Sequence, residues 1–370
     1  MDAIVIGAGV VGSASARALG ERGRSCVLLE QFEIGHARGS SHGPSRLFRL
    51  AYPQPDYVRL AQRALDCWRR LEEAAGEELL VTTGGLYAGG WAEACGEALA
   101  ACGLDQHQRW LSADEARERF PAMSFDGLER LLWQDDGGVC LAERTVAALA
   151  RVATRHGVDL RQGVEALGLR PHSDGVEVET ASGTLRAAAC VVAAGPYAAR
   201  FLETAGLTLP LQASFAQVSY YGPAASVPEQ LPGFVEADLN SGRLATGGYW
   251  VPSVDGTGVV KAGDGAPGGD VDAREAPFAV DPEEEGWVSE LIKRRLPGFD
   301  PAPLRSETCI YTMTPDQDFV LDRRDRLVVG SACSGHGFKF APLLGELLAD
   351  LATKENAAPY ERFALGRFVP

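Results

Sequence analysis

The sequence predicts an α/β fold, more fully α+β, in which a parallel-sheet domain is interleaved with a domain of mixed or antiparallel strands. Three observations predict it. An apolar strand at residues 2–7 runs through a glycine turn into a helix at 11–22, and a second strand follows at 25–30; this is a βαβ unit. Apolar strands that end in glycine recur at 190–195 and 327–330. Between them, residues 211–304 are richer in Pro and Gly and alternate apolar positions at 217–221, 233–237 and 259–262, the pattern of an antiparallel sheet.

The remaining elements follow from periodicity and end signals. Residues 35–43 are a polar loop. Residues 56–73 repeat apolar side chains at helical spacing (Tyr57, Leu60, Ala64, Trp68, Leu71). A strand is expected near 84–89, then helices at 91–102 and 112–120, the second opened by the capping pair Ser112 and Glu115. A helix at 145–156 precedes short strands near 158–160, 176–180 and 184–186. Helices at 282–295 and 341–353 complete the chain, the last with Pro342 in its first turn. Nucleotide-binding character thus comes early, in the middle and at the end. Segments 1–80, 142–210 and 305–370 are assigned to one domain, and segments 81–141 and 211–304 to the other.

The 370 residues and 46% hydrophobic content allow a large core. A net charge of -15 and a pI near 4.9 disfavour nucleic acid and anionic membranes as partners. No apolar run reaches the roughly 18 residues of a membrane span, and the N-terminus lacks a secretory pattern. Eight cysteines without paired spacing fit a reduced, cytoplasmic setting, and six scattered histidines argue against a metal site.

Gly7, Gly9 and Gly12 have the spacing of a dinucleotide fingerprint between a strand and a helix. The first permits the tight turn, the second lets backbone approach a pyrophosphate, and the third lets helix pack on strand. The helix N-terminus presents N–H groups and a positive dipole end to phosphate. Glu30 ends the second strand, where an acid bonds ribose hydroxyls and repels a 2′-phosphate, which disfavours NADP. The fingerprint by itself does not choose FAD over NAD.

Three further motifs are Gly39-Ser40-Ser41-His42-Gly43-Pro44-Ser45-Arg46-Leu47-Phe48-Arg49, Cys309-Ile310-Tyr311-Thr312-Met313-Thr314-Pro315-Asp316 and Ser334-Gly335-His336-Gly337-Phe338-Lys339-Phe340. In this order they resemble the monomeric sarcosine oxidase and N-methyltryptophan oxidase family, FAD-dependent amine oxidases of the D-amino acid oxidase superfamily. The resemblance implies a glutathione-reductase-like FAD domain with a mixed-sheet domain over the flavin. It implies oxidation of a secondary amino acid, N-methyl or cyclic, to an imine, with O2 reduced to H2O2. A monomer is the expected state.

Residue by residue, the resemblance implies that Cys309 links the flavin covalently and that Arg49 and Lys339 bind the substrate carboxylate. Fixed cations suit that task, because a carboxylate entering a dry pocket must be matched by charge. Arg46 lies by the flavin ring, with Ser45 in place of the usual threonine. Ser41, His42, Gly335, Gly337 and Phe338 lie along the cofactor. Lys261 takes the position of the oxygen-activating lysine, where a cation stabilises developing negative charge. Tyr249, Tyr311 and His336 match active-site positions; for each, packing alone is an equal reading. One departure is plain: where the family has a histidine four residues after its lysine, this chain has Gly265. More room over the flavin makes sarcosine itself doubtful and favours a bulkier amine. An FAD-dependent amine dehydrogenase with another electron acceptor is the alternative.

Overall fold

The computed structural model describes residues 1–225, 230–238 and 248–368; part of the 211–304 segment therefore lies outside the described residues. A six-stranded sheet runs in the order Val320–Arg324, Leu327–Ser331, Ala189–Val192, Ala3–Ile6, Cys26–Glu30, Asp159–Gln162. Its pairs are parallel except at the Val320–Arg324 edge. Ala3–Ile6 is buried along its whole length because both faces are covered. Ala3 and Val5 point into the core shared with helices Val10–Glu21, Ala142–Arg155 and Ala341–Thr353. Ile4 and Ile6 face an antiparallel sheet of Ala166–His172, Gly175–Thr180 and Gly183–Ala187 through Val176 and Val178. Each such aliphatic side chain, fully buried, contributes about 1.5–3 kcal/mol.

The second sheet has eight strands in the order Arg305–Met313, Gln212–Tyr221, Val260–Gly263, Gly248–Pro252, Gly233–Glu236, Gly85–Ala88, Arg130–Gln134, Arg109–Ser112. It is mixed, since Gly233–Glu236 pairs parallel with Gly85–Ala88 while its other pairs are antiparallel. Alternation in the sequence cannot reveal that one parallel contact, because either pairing alternates. One face buries Tyr221, Phe234, Trp250 and Ala262 against Val288 and Ile292 of helix Pro282–Arg295. Phe234 and Trp250 stack there with centroids 4.2 Å apart. The other face is left for the cavity described below.

A small sheet of Ser45–Phe48, Gly138–Leu141 and Leu80–Thr82 lies between the two large ones. The Ser112–Glu115 capping box forms as its residue types require. One pairing departs from the sequence partition. Arg305–Met313 falls in the third nucleotide-binding segment by position, yet nine consecutive residues pair it with Gln212–Tyr221. The chain enters the parallel sheet again only at Val320.

Candidate active site

The site begins at the first glycine turn. Gly7 has φ +92°, and a Cβ built on it would stand 2.5 Å from the Ala193 carbonyl oxygen. A Cβ on Gly12 would lie 1.8 Å from the Gly7 carbonyl oxygen, so only glycine lets the helix seat on the turn. At Gly9 the nearest neighbour would be Ser41 Oγ at 3.2 Å. That hydroxyl accepts a hydrogen bond from the Val10 N–H at 3.1 Å, tying the 39–43 loop to the helix start. Glu30 accepts from the N–H groups of Ala8 (2.8 Å) and Phe32 (2.9 Å). Burial opposes its charge, yet bonds from His36, Phe32 and Ala8 hold its carboxyl below the usual range. It therefore stays ionised beside the turn.

From this turn a cavity of about 1340 Å³ extends to the eight-stranded sheet. Every sequence-predicted site residue lines it except Gly12 and Ser45. Gly12 sits behind the turn. Ser45 contributes its backbone carbonyl, which accepts from the Lys261 amine.

Register explains why distant residues meet. Cys309 and Tyr311 lie two apart on one strand and so share a face. Cys309 is opposite Ala216 and Tyr220 is opposite Lys261, which is in turn opposite Val251. Tyr249, two residues before Val251, falls on the same face. Cys309, Tyr311, Lys261, Tyr249 and Val251 all reach the cavity from this face. Lys261 is 4% exposed. Burial first, then Arg46, pushes its pKa well below the ordinary lysine value. Burial raises the Cys309 thiol, with Arg46 pulling against it. Burial takes Tyr249 up to about 12 and Tyr311 well above its usual value. Both phenols stay protonated.

At the opposite wall, Arg49 lies between two aromatic rings, its guanidinium carbon 4.5 Å from the Tyr52 centroid and 4.7 Å from that of Trp91. Its Nε is buried and without a hydrogen-bond partner. Lys339 is 6% exposed and donates to the His336 carbonyl at 2.7 Å. Helix Pro55–Ala75 fixes this segment: Trp68 Nε1 donates to the Lys339 carbonyl at 2.7 Å. Burial and then Arg49 depress the Lys339 pKa well below its ordinary value. Two basic side chains and an unpartnered donor give this wall the groups that an anion would need.

His336 sits in an aromatic nest. Its ring stacks on Phe319 at 4.7 Å and meets Tyr57 edge-on at 4.9 Å, with nitrogens 3.3 Å from the Tyr52 hydroxyl and 3.4 Å from the Gln317 carbonyl. Burial holds it neutral. Those contacts hold the ring in place in the cavity wall. Gly337 is sterically required, since a Cβ there would lie 1.5 Å from the Ala332 carbonyl oxygen, and Gly335 turns with φ +71° against the Tyr311 ring. Phe338 lies under Arg46, with 5.7 Å from guanidinium carbon to ring centre.

Arg46 organises the loop before it. Its guanidinium donates at 2.8 Å to each of the Ser45, Ser40 and His42 carbonyls. Burial, then Arg46, takes His42 down to about 4, so its imidazole is neutral at pH 7. Gly265 borders the cavity in a left-handed conformation, φ +76°.

Sequence reasoning missed several residues here. Tyr52 and Trp91 frame Arg49; Cys333 brings a second thiol to the wall, its Sγ 3.6 Å from Ser40 Oγ; Tyr220 and Glu307 lie on the lysine face. Glu307 was legible in one respect only, being two residues before Cys309 on a strand. Among the described residues, no group of three or more His, Cys, Asp or Glu is placed to hold a metal ion, and no helix is long and apolar enough to cross a membrane.

The family model for FAD-dependent oxidoreductases matches residues 2–351. The chain is 33% identical to the peroxisomal sarcosine oxidase of Mus musculus over 369 residues, covering 95% of this chain and 92% of that protein. It is also 33% identical to the monomeric sarcosine oxidase of Streptomyces avermitilis over 382 residues, covering 96% and 94%. Among solved structures, that of NikD, described as an unusual amino acid oxidase essential for nikkomycin biosynthesis, superposes with a TM-score of 0.86 at 29% identity, covering 98% of this chain and 96% of that one. The glycine turn with Glu30, the parallel sheet and these full-length matches lead to one conclusion: the chain belongs to the FAD-dependent oxidoreductase family.

Proposed function

We propose that this protein is an oxidase of secondary amino acids, forming an imine and H2O2, with FAD bonded to Cys309. The observation that carries the reading is the pairing of two cavity walls: the Cys309–Lys261 sheet face on one side and the Arg49–Lys339 anion site on the other. The residues present fit FAD. Gly7 and Gly9 leave the turn without side chains at the mouth of the helix Val10–Glu21, Glu30 lies beside it as an ionised acceptor, and the cavity is continuous from there to Cys309.

When bound, FAD supplies the two-electron acceptor that takes a hydride equivalent from the carbon next to nitrogen and returns electrons to O2. The protein's residues do the rest. Arg49 and Lys339 hold the substrate carboxylate, which fixes the amine over the sheet face. The cavity's cations favour the neutral amine, since an ammonium beside Arg49 and Lys339 is repelled. Tyr249 and Tyr311 remain protonated hydrogen-bond donors. Lys261, held in the cavity wall by the Ser45 carbonyl, would stabilise from a fixed position the charge that develops as O2 is reduced. Cys309 would hold the cofactor through a thioether, which would keep it in the site between turnovers. Gly265 leaves room for a substrate larger than sarcosine, a bulkier N-methyl or a cyclic secondary amino acid. We take the enzyme to act as a cytoplasmic monomer, in keeping with cysteines that form no disulfide among the described residues and with the monomeric sarcosine oxidase it is similar to.

Acid precipitation of the denatured protein tests the attachment. A yellow pellet and a Cys309 peptide heavier by one flavin are expected; a colourless pellet contradicts the bond. Peroxide assayed across a panel of secondary amino acids tests the activity, and failure of every member to yield peroxide contradicts the oxidase reading.

A further inference from the structure

The lysine face carries a polar patch that neither the anion site nor the glycine turn uses. Arg305, Tyr220 and Lys261 stand in one row across three strands: Tyr220 is the register partner of Arg305 on one side and of Lys261 on the other. Glu307, two residues after Arg305, shares their face. The Tyr220 hydroxyl donates to Glu307 Oε2 at 2.8 Å. Arg305 forms an ion pair with Glu307 and lies over the Tyr220 ring, 3.6 Å from its centroid. The Arg305 side chain is 51% exposed and Glu307 32%, so the row runs from solvent to a buried amine. Gly43, with φ +86°, covers the patch without filling it: a Cβ there would stand 3.8 Å from Glu307 Oε2, 4.0 Å from the Tyr220 hydroxyl and 3.7 Å from Arg46 Nη1. Gly43, Tyr220, Glu307 and Lys261 all border the same cavity.

The chemistry assigned to Lys261 needs such a row. O2 takes up two electrons and two protons to become H2O2. One proton accompanies the electrons from the reduced cofactor; the other must come through the protein. Lys261 is buried, its charged form is disfavoured, and its amine is bonded to a backbone carbonyl, which holds no proton to give. A lysine that gives up a proton in each turnover must be recharged from solvent. We propose that Glu307 and Tyr220 are the proton route from solvent to Lys261 during O2 reduction. Glu307 takes a proton at the exposed Arg305 edge; the Tyr220 hydroxyl, which donates to the ionised carboxylate, then turns to accept from the acid, and its own proton passes through water in the shared cavity to the amine. Each transfer makes one O–H or N–H bond as it breaks another, so no charge accumulates on the tyrosine. Burial holds the phenol above its ordinary pKa against the pull of Arg305 and Arg46, consistent with a carrier that is protonated at rest. The inference rests on the oxygen-reducing role of Lys261. Within it Tyr220 and Glu307 are positioning and proton-carrying residues that act through the lysine.

The test uses holoenzyme reduced anaerobically by light with an external electron donor, so that no substrate is needed, then mixed with O2. Tyr220→Phe and Glu307→Ala should each slow reoxidation at least about tenfold and enlarge the solvent deuterium isotope effect. Formate should restore Glu307→Ala, because it replaces the missing carboxyl. The visible spectrum and midpoint potential of the bound flavin should stay at wild-type values in both variants. Wild-type reoxidation in both variants, alongside slow reoxidation in Lys261→Met, overturns the route and leaves the lysine's role intact. Fast reoxidation in Lys261→Met overturns that role itself. Slow variants with an unchanged isotope effect and no response to formate also overturn the route, since those residues would then only support the fold.

Discussion

Lys261 and Lys339 border the same cavity, and both donate to a backbone carbonyl; both are buried, and each has an arginine beside it that depresses its pKa further. The arginines make the difference. Arg46, by Lys261, has its guanidinium bonded to three loop carbonyls and builds the wall it stands in. Arg49, by Lys339, lies between Tyr52 and Trp91 with its Nε unpartnered. Rings that stack on a guanidinium leave its edge free for a ligand, whereas carbonyls consume it. The same pair of residue types thus forms a closed scaffold at one wall and leaves an N–H unpartnered at the other. Count and charge alone do not distinguish binding from support; the partners of each N–H do.

Three perturbations sharpen the contrast. Arg49→Ala should have the largest effect, lowering the second-order rate of anaerobic reduction by substrate about 10²–10³-fold through loss of a desolvated charge contact. Reoxidation of enzyme already reduced should hardly change, as rapid mixing with O2 would register. The second perturbation is pH, followed with a simple carboxylate inhibitor that lacks the amine. Lys339 has a pKa well below its ordinary value, mainly from burial, and a bound carboxylate raises it by favouring the charged form. Binding therefore takes up a proton above the free-enzyme pKa. Affinity should be constant below that pKa and weaken as pH rises through it, by up to about tenfold per unit; calorimetry in buffers of different ionisation heat would reveal the proton uptake. Gly265→His should have the smallest effect. It narrows the cavity at a left-handed position, and the kcat/KM ratio of bulky to small secondary amino acids should fall about tenfold.

Much of this was legible in the chain, for local reasons. Gly7, Gly9, Gly12 and Glu30 act within one βαβ unit, so a single window of sequence holds their whole geometry. Apolar runs such as Ala3–Ile6 declare their burial on both faces. Motifs that are continuous in sequence, around Cys309 and around Lys339, could be matched as words. What was not legible depends on pairing between distant strands. That Tyr220 stands beside Lys261, or that Arg305–Met313 joins the eight-stranded sheet, is set by register and not by any local period. His336 gave the motif its histidine, yet its aromatic nest comes from Tyr52, Tyr57 and Phe319, which the sequence scatters. Likewise the unpartnered Nε of Arg49 could not be read until Tyr52 and Trp91 were seen to flank its guanidinium.

In the proposed reading the two walls divide the labour, with substrate at Arg49 and Lys339 and oxygen at Lys261. Rapid mixing of Lys261→Met, first with amine in the absence of O2 and then, once reduced, with O2, addresses it directly. The predicted result is flavin reduction within a few-fold of wild type and reoxidation slower by about 100-fold or more. Equal losses in both half-reactions, or a loss confined to reduction, would contradict it.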